Sequence, residues 1–247
     1  MHSKTENADP AADAVELRSV TKRFGARDVL AGVDLLVRQG SATCICGVNG
    51  AGKTTLLRII AGLLRPEQGT VKICGYDISA EAEKTKSMLG FISHKSMLYP
   101  ELTTFENLSF FARLYGIKDH QRSVRRLLDE LGLGTYACDR VGVLSRGMLQ
   151  RLSIARAIVH GPAVLLADEP FTGLDLEASR HLVDVLAGFG ANGGTVVMTS
   201  HDTFTALKCC DRVVVLDGSR FIFDEATSRI DADAFAKDYL SYARRNN

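Results

Sequence analysis

The sequence predicts an α/β fold built on a mostly parallel sheet, and two observations carry that expectation. Strand-like and helix-like stretches alternate from about residue 41 to residue 217, the pattern of β-α-β units whose ligands sit at the strand carboxyl ends. At the first such end lies Gly47–Thr55, GVNGAGKTT, which fits the phosphate-loop pattern G-x-x-x-x-G-K-[ST] at Gly47, Gly52, Lys53 and Thr54. SATCIC before it reads as a short buried strand and TTLLRIIAGLL after it has helical spacing. Strand, loop and helix in that order is the context the motif requires.

The residue types follow from the chemistry. A triphosphate needs many donors at close range, and glycines expose backbone N–H groups by letting the chain take tight turns. Asn49, Gly50 and Ala51 fill the loop, Lys53 reaches the β- and γ-phosphates, and the Thr54 hydroxyl can take one Mg²⁺ position, with Thr55 beside it. The helix that follows adds the positive end of its dipole.

The remaining elements follow in chain order. Residues 1–13 read as a loose tail of Ala, Asp and small polar types. VELRSV and VLAGVDLLV look like strands flanking a polar turn around Gly25, in which Phe24 could stack on a base or fold back onto the core. GTVKICGYDI reads as a hairpin closing the first lobe, and LGFIS as a buried strand ending at His94. From Thr103 to Leu131 the pattern is helical, with Arg122, Arg125 and Arg126 on one solvated face. A further amphipathic helix is expected from about Gly147 to Val159. AVLLADEP is a continuous apolar strand ending in two acids; LEASRHLVDVLAGF is helical. GTVVMTS is a strand stopping before His201, DRVVVLDG another, and the stretch from Ala226 to Tyr242 is helical.

Composition narrows the function classes. The 247 residues are 46% hydrophobic and 24% charged, as in a globular protein with an ample core. A net charge of +1 gives no electrostatic footprint for nucleic acid. No apolar run approaches the roughly 18 residues that span a bilayer, and no signal peptide is expected. The six cysteines show no C-x-x-C pair, and Cys44 and Cys46 share one side of a buried strand as core filler.

Asp168 and Glu169 supply what a phosphate loop lacks. Asp168 can hold Mg²⁺ through water and Glu169 can orient or deprotonate an attacking water. His201, also at a strand end, could sense the γ-phosphate or be structural.

With those motifs stand LSRGMLQR (144–151), similar to the signature LSGGQ-x-QR, and PFTGLD ending in Asp175. From Val15 to about Phe223 the chain resembles the ATP-binding subunits of ABC transporters. The resemblance implies a P-loop NTPase with a RecA-like parallel sheet core, an antiparallel β lobe and an inserted helical subdomain. Its implied boundaries are a tail at 1–13, an ATP-binding domain at 14–226 with the helical part at about 97–155, and a C-terminal helix at 227–247. It also implies ATP and Mg²⁺ as ligands, Phe24 stacking on adenine, and Asp175 at the D-loop. Ser145 and Gly147 would reach the γ-phosphate, and His201 would be the switch histidine. Two ATP-binding subunits would dimerise beside a separate transmembrane permease, peripherally on the cytoplasmic face of the inner membrane. Residues 89–108 would span the Q-loop that meets the permease.

Three residues depart from the family pattern: Arg146 for the first signature glycine, Met148 for the signature glutamine, and His94 for the Q-loop glutamine that contacts metal or water. SHKSMLYPELT, ENLSFFARLYG, SRGM and DEPFTGLD together look most like the haem-exporter ATPase of cytochrome c maturation. Drug, lipid and polysaccharide exporters are the alternative, the drug and polysaccharide classes sharing an SRGM-like signature. A GTPase is disfavoured because N-K-x-D is absent, a kinase because of the signature, and a soluble ABC ATPase because 247 residues leave no room for a second cassette.

Overall fold

The computed structural model describes residues 13–93 and 96–245. β1 (Asp13–Phe24) and β2 (Arg27–Arg38) pair antiparallel, and β2 buries Val33, Leu35 and Val37 on one face of its pleat and Leu30 beyond a bulge at Gly32. β4 (Gln68–Ile73) pairs with β1 and with the short β5 (Tyr76–Asp77), giving an antiparallel sheet in the order β2-β1-β4-β5.

The second sheet carries the chemistry. Its order is β10-β9-β3-β8-β7-β6, from β3 (Ala42–Cys46), β6 (Leu89–Ile92), β7 (Val164–Asp168), β8 (Thr195–Ser200), β9 (Arg212–Asp217) and β10 (Arg220–Ala226). All neighbours pair in parallel except β9 and β10. β3, β7 and β8 are buried along almost their whole length, as parallel strands covered on both faces must be. One face packs on α1 (Lys53–Ile60) and the antiparallel sheet, through Leu56, Leu57, Ile59 and Ile60. The other packs under α6 (Leu176–Ala191), α7 (Thr203–Cys209) and α8 (Ala232–Arg245), through Leu182, Ala206, Phe235 and Tyr239.

A third core lies among α3 (Thr104–Leu114), α4 (His120–Glu130) and α5 (Arg146–Ile158), centred on Leu108, Leu128 and Leu152. α3 starts at a capping box in which Thr103 and Glu106 satisfy each other's backbone N–H groups. α5 belongs to two cores: Leu152 and Ala155 face the helices, whereas Ile154 and Ala157 face the sheet.

Several elements differ from the sequence expectation. α2 (Ala82–Ser87), α7 and β10 are additions, because α2 and α7 are short and β10 alternates half-buried with exposed residues rather than apolar with polar. The C-terminal helix begins at Ala232, not at 227; residues 227–229 form a 3₁₀ turn tied down by Thr227, whose N–H donates to the Asp211 carbonyl. Asp231 restarts the chain as a helix by accepting from the Ala234 N–H at 2.8 Å. Cys44 and Cys46 are both buried with their sulfurs 3.7 Å apart, in line with a core role, and burial pushes the Cys44 thiol well up. Cys138, between α4 and α5, is exposed.

The end of α5 is pinned to β6. The Arg156 guanidinium, mostly buried, donates to the Phe91 carbonyl at 2.6 Å, and His160 Nε2–H donates to the Leu89 carbonyl at 3.0 Å. The His160 ring stacks on Tyr115, the residue that caps the end of α3, at 3.8 Å and 5°. Burial lowers the His160 pKa, opposed by its bond to Leu89 and reinforced by the nearby Arg156 charge. The folded protein therefore refuses a proton that the unfolded chain accepts, and stability is lost as pH falls below the ordinary value of 6.5. His160→Phe keeps a ring on Tyr115 but does not titrate. The wild-type urea midpoint should fall relative to that of this variant from pH 7 to pH 5, whichever is the higher at pH 7. A wild-type midpoint that rises relative to the variant's would place the titration elsewhere.

Candidate functional site

The phosphate loop leaves β3 at Cys46 and enters α1 at Lys53. Two glycines are obligatory by geometry. A Cβ at Gly47 would lie 2.5 Å from the Leu216 carbonyl oxygen; one at Gly52, where φ is 109°, would lie 2.9 Å from that of Val29. Lys53 is only 7% exposed. Its ammonium donates to the carbonyls of Gly47 at 2.6 Å and Val48 at 3.3 Å and pairs with Glu169 Oε1 at 3.2 Å. A buried charge of this kind requires such compensation.

The next residue pair repeats the register. Thr54 Oγ1 donates to Asp168 Oδ1 at 3.0 Å, and the same oxygen accepts from Thr199 Oγ1 at 2.8 Å. Thr199 is directly opposite Asp168 in the β7–β8 ladder. Its hydroxyl also accepts from the Glu169 N–H at 2.9 Å, steadying Glu169 at a φ of 50°, a left-handed conformation that a non-glycine residue seldom adopts. Glu169 Oε2 accepts from His201 twice, from Nδ1–H at 2.7 Å and from the backbone N–H at 3.3 Å. One carboxylate thus bridges a lysine from α1 and a histidine beyond β8.

Other expected residues fall in two further places. Asn49, Gly50 and Ala51 line a cavity of about 420 Å³ with Arg27, Asp28 and Gly218. Arg27, which the sequence reading did not single out, donates to the Gly50 carbonyl at 3.1 Å and brings the β1–β2 hairpin onto the loop. Phe24 is the last residue of β1 rather than a mid-turn residue; it is 52% exposed, with the Lys22 ammonium 5.6 Å from its ring centroid. Ser145, Gly147 and Asp175 gather in a separate cavity of about 490 Å³, whose walls include neither Lys53 nor Thr54. Ser145 caps α5 and Asp175 caps α6, accepting from the backbone N–H groups of Met148 at 3.3 Å and Ala178 at 2.8 Å. Thr55 lies in the first turn of α1. His94 lies outside the described residues.

The arrangement can hold a polyphosphate on loop N–H groups and Lys53. A hydroxyl and a carboxylate 3.0 Å apart are hard oxygen donors of the kind Mg²⁺ takes. Among the described residues no group of three or more His, Cys, Asp or Glu side chains could hold a metal, so an ion here would draw its other ligands from phosphate and water. Glu169, oriented by His201, can accept a proton from a water beside the phosphate.

The ABC transporter family model matches residues 30–172. The chain is 37% identical over 214 residues to the Nod factor export ATP-binding protein I of Burkholderia lata, covering 86% of this chain and 70% of that one. It is 31% identical over 210 residues to the linearmycin resistance ATP-binding protein LnrL of Bacillus subtilis, covering 84% and 68%. Among solved structures, an ATP-binding subunit of an ABC transporter superposes with a TM-score of 0.83 at 28% identity, covering 92% of this chain and 99% of that one. The dimeric post-hydrolysis state of the ATP-binding cassette MJ0796, bound to ADP and Pi, superposes with a TM-score of 0.78 at 28% identity, covering 86% and 98%.

Thr199 serves Asp168 and Glu169 at once, so Thr199→Val, nearly isosteric, should leave a buried carboxylate oxygen and an N–H each short of one partner. About 1–3 kcal/mol of stability should be lost, read as a lower urea midpoint at constant m-value. An unchanged midpoint would show the hydroxyl to be dispensable.

Proposed function

This chain belongs to the ABC transporter family, and we propose that it is the ATP-hydrolysing subunit of an exporter whose membrane-spanning permease is a separate chain. The observation that carries this reading is the convergence of Lys53, Asp168, Glu169 and His201 at the ends of three parallel strands, with Ser145, Gly147 and Asp175 held apart in their own cavity. A chain so arranged owns two half-sites and no complete one. Two copies facing each other would complete both, each phosphate loop meeting the other copy's Ser145 and Gly147. The dimeric, ADP- and Pi-bound state of the MJ0796 cassette supports that arrangement.

In this reading Phe24 stacks on the adenine ring, and Asn49, Gly50, Gly52 and Thr55 supply backbone donors around the phosphates, while the Ala51 N–H holds the loop closed on the Val48 carbonyl at 3.1 Å. Lys53 exchanges its contact with Glu169 for the γ-phosphate, which frees the carboxylate to take the proton of the attacking water. His201 holds Glu169 in place and presents its own ring to the same phosphate. Thr54 and Asp168 would hold Mg²⁺, with His94 as a candidate third contact, and the ion would neutralise charge developing on the phosphate oxygens. Loss of the γ-phosphate removes the anion shared by the two copies and releases them.

The permease would dock beside Met97 and Tyr99, which are exposed together with Phe110, whose ring lies 5.4 Å from that of Tyr99. Among the described residues no helix is long and apolar enough to cross a membrane, so attachment at the cytoplasmic face would be peripheral. The relatives are named for Nod factor export and linearmycin resistance, which favours a Nod factor or an antibiotic as the exported cargo. Haem export for cytochrome c biogenesis is the second reading, favoured by the SHKSMLYPELT, ENLSFFARLYG and SRGM stretches.

Glu169→Gln should bind MgATP at least as well as wild type, because Lys53 loses a competing carboxylate. Its turnover should fall about 10²–10⁴-fold, and an ATP-bound dimer should accumulate on size-exclusion chromatography. Near-normal hydrolysis by this variant would overturn the assignment.

Phe24→Ala should weaken ATP and GTP alike by about 1–3 kcal/mol, since stacking tolerates any base. Equal affinities before and after the change, by calorimetry, would remove Phe24 from the site.

A further inference from the structure

Two side chains on one face of α5 have no part in the mechanism so far. Arg146 and Gln150 stand four residues apart, one above the other on the helix. Gln150 Nε2–H donates to the Pro170 carbonyl at 3.0 Å, and Arg146 Nη2–H donates to the Thr172 carbonyl at 3.4 Å. The Arg146 guanidinium also packs against Gly173, where an added Cβ would come within 2.0 Å of Nη2. All three contacts fall on the segment that follows Glu169 and leads to Asp175.

The surroundings give these contacts a direction. Arg146 and Gln150 line a cavity of about 240 Å³ whose walls include Asp168 and Glu169. Arg146 also lines the cavity that holds Ser145 and Gly147. It therefore stands in the partition between the two half-sites of one chain. An arginine in the first turn of a helix, with no acidic residue there, opposes the helix dipole. The carbonyl oxygen it reaches offsets that cost.

We infer that Arg146, with Gln150, is a positioning pair that ties the first turn of α5 to the backbone carrying Glu169. A phosphate held at Ser145 and Gly147 belongs to the partner's nucleotide, whereas Glu169 acts on the nucleotide of its own chain. The tether makes the occupancy of one composite site set the carboxylate of the other. This rests on the two-copy hydrolytic reading above, and deepens it by assigning the link between the sites to a residue that replaces a signature glycine.

The test uses full-length chains and MgATP hydrolysis. Arg146→Ala should lower kcat about tenfold, the rate equivalent of one charge-assisted hydrogen bond, with KM for ATP within about twofold of wild type. Arg146→Lys, which keeps a donor but not the flat guanidinium, should recover part of the loss, and Gln150→Ala should lower kcat in the same sense.

Mixed dimers then locate the effect. In a dimer of one wild-type and one Glu169→Gln copy, only the wild-type copy's carboxylate turns over. Adding Arg146→Ala to that wild-type copy should slow turnover; adding it to the Glu169→Gln copy should leave the rate within about twofold. Slowing only from the Glu169→Gln copy would make Arg146 a contact to the partner's phosphate and overturn the tether. Slowing from neither would overturn it as well. If Glu169→Gln homodimers themselves turn over normally, the hydrolytic reading has failed instead, and the tether's role falls with it.

Discussion

A single carboxylate oxygen shared by two hydroxyls organises the site. Asp168 is 7% exposed, and a buried carboxylate is tolerated only where donors surround it. Thr54 and Thr199 supply them from the first turn of α1 and from β8, so the ends of three elements are fixed to one point. Once Thr54 meets Asp168, the preceding Lys53 meets the following Glu169 without further adjustment. The placement of Lys53 and Glu169 at the mouth of the phosphate loop is thus a consequence of how the strand ends are bound together.

The second constraint is the division of the chain among three cores. α5 contributes to two of them, Leu152 and Ala155 to one, Ile154 and Ala157 to the other. Arg156 and His160 then fasten its end to the carbonyls of β6, directly ahead of the segment where a permease would dock. The start of the same helix carries Ser145, and its flank touches the residues after Glu169. One helix therefore joins the cavity at Ser145 to the strand end beside the proposed docking face, and a displacement at either end has a short mechanical route to the other.

How much of this the chain disclosed beforehand depends on whether the signal was local. The phosphate loop was legible because its glycines, lysine and threonine are contiguous, and the strands ending at Asp168 and Ser200 because parallel strands are continuous apolar runs. Thr199 was hidden inside such a run: its part comes from its register with Asp168, which no periodicity reports. Arg27 was hidden for the same reason, its partner being a carbonyl 23 residues away. β10 escaped because neither of its faces is fully buried, and α7 because seven residues are too few for a helical pattern. Phe24 was legible as an exposed aromatic near the loop, but its place at a strand end was not.

The distribution of thiols bears on how motion in this protein could be observed. Cys44, Cys46 and Cys210 are buried, and burial pushes the thiols of Cys44, Cys74 and Cys209 upward, the last to about 11. Thiolates of that kind are scarce at neutral pH and slow to alkylate. Cys138 is exposed, on the segment that joins α4 to α5. The native sequence thus already carries one favoured attachment point for a maleimide dye, on the helical layer rather than on the sheet. A fluorophore there would report the displacement of that layer without a cysteine-free background having to be engineered first.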